Sequence, residues 1–159
     1  MNQFLVQQLR QTDTLNTSVG NRVAKRAIAW VGKSYKPGQR ERCADFVRFV
    51  LRQSNVRVGV TRKPRDAGKQ YHNGSLMARS FFGNDIGIIL TNPNQFQKGD
   101  LIGFTNTYGN FKRGAITHVG IYVGRGKIVD RSTMSAPVRM RSLYSFPNSQ
   151  IIGVRPYAY

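Results

Sequence analysis

A strand pattern punctuated by glycine, in the second half of the chain, most limits the folds open to it. Leu101 to Thr105 is typical of a buried strand, and residues 117–124 are typical of a second. Arg125-Gly126 is a tight-turn pair, and Lys127 to Asp130 supplies the return strand of a hairpin. Short apolar runs joined by such turns predict an antiparallel sheet, because hairpins join antiparallel neighbours.

The first half of the chain follows a helical period instead. One predicted helix covers residues 18–30 and ends at Gly32, and another begins at Cys43 and fades near Ser54-Asn55. The apolar stripe of the first helix consists of Val23, Ala24, Ala27, Ile28 and Val31. Helices first and strands afterwards predict an α+β fold, in which N-terminal helices pack on a C-terminal antiparallel sheet.

The length of the chain suits one domain with one core. Of its 159 residues, we assign 21–159 to that domain and 1–20 to a polar N-terminal arm or docking segment. Ile86 to Leu90 is predicted to be an edge strand, and residues 138–141 and 151–155 are predicted to complete the sheet.

The net charge is strongly positive. Against 25 Lys and Arg residues stand 7 Asp and Glu residues, a formal charge of +18. Such a field indicates a polyanionic neighbour, which could be nucleic acid, an anionic cell envelope or the acidic face of a larger assembly.

The sequence lacks several familiar signals. Residues 1–15 do not follow the pattern of a signal peptide, and no apolar run approaches the length of a membrane span. We therefore expect a soluble protein without membrane insertion, which something else carries if it acts outside a cytoplasm. A single cysteine excludes an internal disulfide, and no paired cysteines suggest a metal framework, so we expect neither a metal nor a cofactor.

Cys43 is the candidate nucleophile. A thiol in the first turn of a helix is more readily a thiolate, because free amide groups and the helix dipole favour an anion there. The alternative is a buried, inert cysteine, as most free cysteines are. A thiol nucleophile also needs a base, and the chain has two histidines, His72 and His118.

The hairpin offers His118 an orienting partner. Strand alternation points His118, Gly120 and Tyr122 to one face of the sheet and Val119, Ile121 and Val123 to the other. A turn at 124–125 predicts that Asp130 lies opposite roughly position 119, beside His118. Asp130 then accepts a hydrogen bond from one ring nitrogen and leaves the other to face the thiol.

These blocks together resemble a known family. Gly32-Lys-Ser-Tyr35, Cys43 at a helix start, residues 97–104 and residues 118–130 are similar to the NlpC-type cysteine peptidases, papain-like enzymes that cleave cell-wall peptides. The resemblance covers about residues 22–155. It implies a papain-like fold with Cys43 as the nucleophile, His118 as the base and Asp130 as the third polar residue. Tyr35 matches the family's tyrosine that lines the site.

The sequence departs from the family around the nucleophile. Family members often have Asp-Cys-Ser-Gly, whose Asp and Ser help to hold the amine of the substrate peptide, whereas this chain has Arg42-Cys43-Ala44-Asp45. Arg42 and Asp45 are thus the candidate substrate-binding residues, and the bond cleaved is left open. The run from Cys43 to Val47 also resembles the related CHAP-type amidases and endopeptidases.

The resemblance and the charge together predict a peptidoglycan hydrolase. We expect it in the virion, as a phage tail or baseplate component that opens the host cell wall locally and contacts other tail proteins. A bacterial enzyme exported by a non-classical route is the alternative location. The alternative function is a catalytically idle basic module of a larger assembly that contacts nucleic acid or an acidic partner.

Overall fold

The computed structural model describes residue 3 and residues 18–34, 43–58, 78–109, 114–132 and 136–159. These residues contain two long helices, the helical residues 78–79 and six strands. Helix α1 spans residues 18–29, and α2 spans Cys43–Gln53. The strands are β1 Gly87–Leu90, β2 Leu101–Thr105, β3 Ile116–Gly124, β4 Lys127–Asp130, β5 Arg139–Ser142 and β6 Ile151–Pro156. A single 3₁₀ turn, Pro93–Gln95, lies between β1 and β2.

The six strands form one sheet in the order β1-β6-β2-β3-β4-β5, and every neighbouring pair is antiparallel. The segment predicted to be an edge strand is β1, which does lie at one edge; β5 lies at the other. The predicted fold class is therefore confirmed: an α+β, papain-like arrangement with the helices first in the chain and an antiparallel sheet after them.

Apolar clusters cover both faces of the sheet. On one face, α1 and α2 pack against strand residues that include Val119, Ile121 and Val129. On the other face, Ile102, Phe104, Ile128 and Leu143 form a second cluster under the segment that follows β5. The alternation predicted for β3 explains this division, because successive side chains of a strand point to opposite faces.

Helix α1 buries a narrower stripe than its sequence predicts. Val23, Ala24 and Ala27 are buried, but Ile28 and Val31 are exposed, so their assignment to the core was wrong. The helix ends at residue 29, and Gly32, with a φ of +81°, turns the chain toward Val138, whose carbonyl accepts a hydrogen bond from the Gly32 N–H at 2.8 Å. The last apolar residues thus lie where the chain is leaving the sheet.

Side-chain hydrogen bonds join α1 to the end of α2. Trp30 Nε1 donates to Gln53 Oε1 at 2.9 Å, and Arg22 Nε donates to the Ser54 carbonyl at 3.1 Å. The ring of Trp30 also meets Phe49 edge to face, with 5.2 Å between ring centroids. Because α2 packs on β3 and β4, these contacts hold its first residue against the sheet.

Candidate active site

Cys43 is the first residue of α2, and its side chain is buried, with 6 % of the residue exposed. The residues behind it explain this position. Three side chains on one side of the helix are fully buried against the sheet: Phe46, Val47 and Val50. Their packing holds α2 on the sheet through the turns that follow Cys43. The thiol therefore lies at the helix end where amide groups lack partners within the helix and the dipole favours negative charge.

His118 is the third residue of β3 and is also buried, with 4 % of the residue exposed. Its imidazole lies beside two aromatic rings, Phe104 at 5.9 Å and Phe146 at 5.3 Å between centroids. Nε2 lies 2.5 Å from Asp130 Oδ2, a short hydrogen bond. This bond fixes the ring and leaves Nδ1 as the nitrogen available to the thiol.

Asp130 reaches His118 through a strand register that differs from the predicted one. Ile121 pairs with Val129 and Tyr122 with Ile128, and the register shifts between Tyr122 and Gly124. Continuing the pairing places Asp130 opposite position 120, so the predicted partner, roughly position 119, was wrong by one residue. The irregularity near the turn puts Asp130 on the same face as His118, because residues 118 and 120 share a face of the strand.

The Cys43 thiol lies against the part of β3 that, in the described part of the chain, has no paired strand on one side. Strand β4 ends at Asp130, so β3 has no paired strand on that side beyond residue 120 among the described residues. The Cys43 sulfur accepts hydrogen bonds from the backbone N–H groups of Val119 and Ala44 and is hydrogen-bonded to the His118 side chain. The structure thus brings Cys43, His118 and Asp130 to one spot, and their catalytic roles stay a prediction.

The charges at this spot stabilise one another. Burial raises the pKa of the Cys43 thiol, but the imidazolium of His118 and the hydrogen bonds to the sulfur outweigh burial, and the pKa lies below its ordinary value. Burial lowers the pKa of His118, but the Cys43 thiolate and Asp130 raise it to about 9. At neutral pH the arrangement therefore favours a thiolate beside an imidazolium.

Two arginines of β5, which the sequence analysis did not single out, surround Asp130. Arg141 donates to Asp130 Oδ2 from Nε, at 2.9 Å, and from Nη2. Arg139 Nε lies 3.4 Å from Oδ1. Burial raises the pKa of Asp130, but His118 and Arg141 hold it below its ordinary value, so the carboxylate is ionised at neutral pH. Only the pairing of β4 with β5 brings these arginines to the site, with Asp130 opposite Arg139.

Of the three predicted substrate-binding residues, the structure describes only Asp45. Tyr35 and Arg42 lie outside the described residues, as does the alternative histidine, His72. Asp45 is buried in α2 and forms an ion pair with Arg48 one turn further on. Its assignment as a substrate-binding residue, like those of Tyr35 and Arg42, stays a prediction.

The described part of the chain lacks two kinds of feature. None of its helices has both the length and the apolar character that crossing a membrane requires. Within the same residues, no three His, Cys, Asp or Glu side chains are grouped so that they could hold a metal ion.

A helix-borne thiol, a strand-borne imidazole and an antiparallel sheet define a protein of the papain-like class. Residues 28–155 match the model of the NlpC/P60 family. The chain belongs to this family. A search of curated proteins found no match.

Solved structures share the fold. NlpC2 from Trichomonas vaginalis is 21 % identical, with a TM-score of 0.59 over 87 % of this chain and 46 % of that one. NlpC1 from the same organism is 20 % identical, with a TM-score of 0.59 over 87 % and 44 %. The NlpC/p60 domain of the peptidoglycan hydrolase SagA is 22 % identical, with a TM-score of 0.51 over 85 % and 97 %. This chain therefore spans less than half the length of the two Trichomonas proteins.

Proposed function

We propose that this protein is a cysteine hydrolase that cleaves amide bonds in the peptides of bacterial peptidoglycan. The observation that carries the proposal is the contact of the Cys43 thiol with His118, whose Nε2 lies 2.5 Å from Asp130 Oδ2. Membership of the NlpC/P60 family and the fold shared with a domain of a peptidoglycan hydrolase support this substrate class.

In the first step, the Cys43 thiolate attacks the carbonyl carbon of the scissile amide, and a C–S bond forms. The carbonyl electrons move onto oxygen, and the backbone N–H of Cys43, which has no acceptor within α2 because it is in the first turn, donates to that oxyanion. The intermediate collapses as the C–N bond breaks. The leaving amine takes its proton from the His118 imidazolium, and a thioester remains on Cys43.

In the second step, water attacks the thioester carbon while neutral His118 takes a proton from it. The C–S bond then breaks, which releases a carboxylic acid and restores the thiolate beside the imidazolium. Asp130 keeps the ring in one orientation and stabilises its charged form throughout, which is the role of the third residue in such sites.

The charge of the protein suits an anionic wall. The stem peptides of peptidoglycan carry carboxylates, and a formal charge of +18 would raise the rate at which the protein meets them. Arg42, next to the nucleophile, and Asp45 are the residues we propose to contact the substrate peptide, with Tyr35 lining the site. Arg42 replaces the acidic residue that family members often carry. The scissile bond therefore has to be identified from the fragments that digestion of peptidoglycan releases.

We also propose a place of action. In this proposal the protein is a phage tail or baseplate component that opens the host wall locally. Antibody labelling of purified virions, together with mass spectrometry of their tails, would detect this chain if the proposal is right. Its absence from tails and its presence in bacterial culture fluid would favour the exported bacterial enzyme.

The test of function is digestion of purified peptidoglycan, with the soluble fragments identified by mass spectrometry. Wild-type protein should release fragments with a new amino group and a new carboxyl group at one bond, and Cys43→Ala should release none. Cys43→Ser is a matched variant that keeps a small polar side chain but loses the soft nucleophile, and we expect it to be nearly inactive.

The same assay distinguishes the proposed hydrolase from the alternative function. The charge of +18 favours a basic module that binds nucleic acid or an acidic partner. Equal product from wild type and Cys43→Ala would exclude the thiol mechanism. No product from either, together with a shift of nucleic acid in a gel at physiological salt, would establish the module.

A further inference from the structure

The carboxylate of Asp130 is shared between an imidazole and a guanidinium. Oδ2 accepts from His118 Nε2 and from both Nε and Nη2 of Arg141. Arg141 Nη2 also lies 3.3 Å from His118 Nε2, so a fixed positive charge lies almost in contact with the imidazole. Arg141 therefore acts on His118 both through Asp130 and directly.

The environment of Arg141 fixes it there. Its guanidinium lies 4.1 Å above the ring of Phe146, the same ring that contacts His118, and its side chain is 15 % exposed. The neighbouring Arg139 is 45 % exposed and reaches Asp130 only from Nε, at 3.4 Å. A partly buried, forked and stacked arginine is held more rigidly than a surface one.

We propose that Arg141 is a positioning residue of this active site, which holds Asp130 in line with the imidazole and offsets part of the carboxylate's charge. The inference rests on the proposed function, because it concerns the same thiol–imidazole pair. An unopposed carboxylate against a buried imidazolium would stabilise the charged ring strongly and slow the return of its proton to the leaving amine. Arg141 moderates that attraction and keeps the hydrogen bond that orients the ring.

Few charged groups lie beside His118 among the described residues, so a change in its pKa can be assigned to one of them. Its charged or titratable neighbours among the described residues are Cys43 from α2, Asp130 from β4 and Arg141 from β5. Phe104 of β2 and Phe146, after β5, contact the ring without carrying charge. Arg139 acts only on the far oxygen of Asp130.

A merely structural arginine would tie β5 to β4 without affecting the imidazole. The measurement that separates the two roles is the pKa of His118, read by ¹⁵N NMR of the two histidine rings, with His118→Gln giving the assignment. In Arg141→Gln we expect the His118 pKa to rise by roughly one unit above its wild-type value, a tenfold change in proton affinity. The value of kcat should fall about tenfold with little change in KM.

Three control variants separate the charge of Arg141 from its forked geometry and from its neighbours. Arg141→Lys keeps the charge without the fork, so its His118 pKa should stay near the wild-type value while kcat falls; it also serves if Arg141→Gln does not fold. Arg139→Gln removes a neighbouring arginine of the same strand and should change the proton affinity of His118 less than about threefold. In an Asp130→Asn background, adding Arg141→Gln should lower kcat by less than it does in the wild-type background, because the part of the effect that passes through Asp130 is already lost and only the direct action on His118 remains.

The proposal is overturned if Arg141→Gln lowers only the melting temperature and leaves the His118 pKa and kcat unchanged. It is also overturned if Arg139→Gln produces the same shift. The NMR titration needs no substrate, so it separates this inference from the proposed function. Full activity of Cys43→Ala would remove the thiol mechanism while leaving the titration of His118 to be read independently.

Discussion

At the scale of single residues, Gly120 provides the space in which Asp130 meets His118. A Cβ added at Gly120 would lie 3.3 Å from Asp130 Cβ and 3.3 Å from Ile128 Cδ1. Few side chains tolerate contacts this close, so a methyl group there would press on Asp130 where it bonds to the imidazole. The glycine of the His-Val-Gly-Ile-Tyr block thus has a physical role in the site.

We predict that Gly120→Ala lowers kcat about tenfold to a hundredfold, because displacing Asp130 loosens the orientation of His118. The matched control is Tyr122→Phe, on the same face of β3. It loses only the hydrogen bond that the tyrosine hydroxyl accepts from the Gly126 N–H at 3.1 Å and should keep most of the activity. Equal activity of Gly120→Ala and wild type on peptidoglycan would contradict the role given to this glycine.

Some residues of the candidate site could be predicted from the sequence more readily than others. Cys43 and His118 could be found because each follows a local pattern, a helix start and an alternating strand. The exact register of Asp130 could not, because it depends on an irregularity near the turn between β3 and β4. Arg141 could not be found either: it is one of many basic residues, and only the pairing of β4 with β5 brings it to Asp130.

At the scale of elements, an ion pair between buried Asp100 and partly exposed Arg155 joins β6 to the turn before β2. Arg155 donates to both oxygens of Asp100, Nε to Oδ1 at 2.9 Å and Nη2 to Oδ2 at 2.8 Å. The Gln97 N–H also donates to Asp100 Oδ2 at 2.8 Å, which closes the turn. Burial raises the pKa of Asp100 even though Arg155 opposes it, so the carboxylate depends on these partners. Gly99-Asp100-Leu101, within the stretch 97–104 that resembles the family, thus serves the sheet at a position separate from the thiol.

Removing this carboxylate should destabilise the fold without altering the chemistry. We predict that Asp100→Ala lowers the free energy of unfolding by about 3 kcal/mol, because Arg155 then loses its buried partner. Urea denaturation followed by the fluorescence of Trp30 measures it. Lys25→Ala, which shortens an exposed side chain of α1, should stay within about 0.5 kcal/mol of wild type. A loss of activity in folded Asp100→Ala would contradict a purely structural role.

The order of elements could be predicted from sequence because helical and strand periods fall in separate halves of the chain. The extent of burial along α1 could not, because it depends on where the chain leaves the sheet. Ile28 and Val31 satisfy the helical period but lie at a helix end that turns toward Val138, so they stay exposed. The arm predicted at residues 1–20 falls largely outside the described residues and stays a prediction.

At the scale of the whole molecule, the formal charge of +18 is carried by residues outside the buried ion pairs. Of the 7 acidic residues, Asp45, Asp100 and Asp130 are buried, and each is paired with an arginine. Each pair is neutral, so these carboxylates and their arginines contribute little to the outer field, and the net charge stays the same. Basic residues such as Arg22, Lys25 and Arg26 on α1 remain exposed.

This field predicts a dependence on salt that differs between substrates. Raising ionic strength from about 0.1 to 1 M shortens the Debye length from about 10 to 3 Å. We expect kcat/KM on whole peptidoglycan to fall about tenfold over that range, because long-range attraction is screened. An uncharged soluble peptide with the same scissile bond is the control and should be cleaved at nearly constant rate. Equal salt dependence for both substrates would contradict a role of the field in finding the wall.

The central claim is that Cys43 is held as a thiolate by His118, and the most direct measurement is a pH titration of the ultraviolet absorbance of its thiolate. Because the chain has a single cysteine, subtracting the titration of Cys43→Ala isolates this sulfur. Wild type should titrate below the ordinary thiol pKa of about 8.5. His118→Ala should titrate above that value, because burial then acts without the imidazolium. A wild-type midpoint at or above about 8.5 that His118→Ala does not move would contradict the claim.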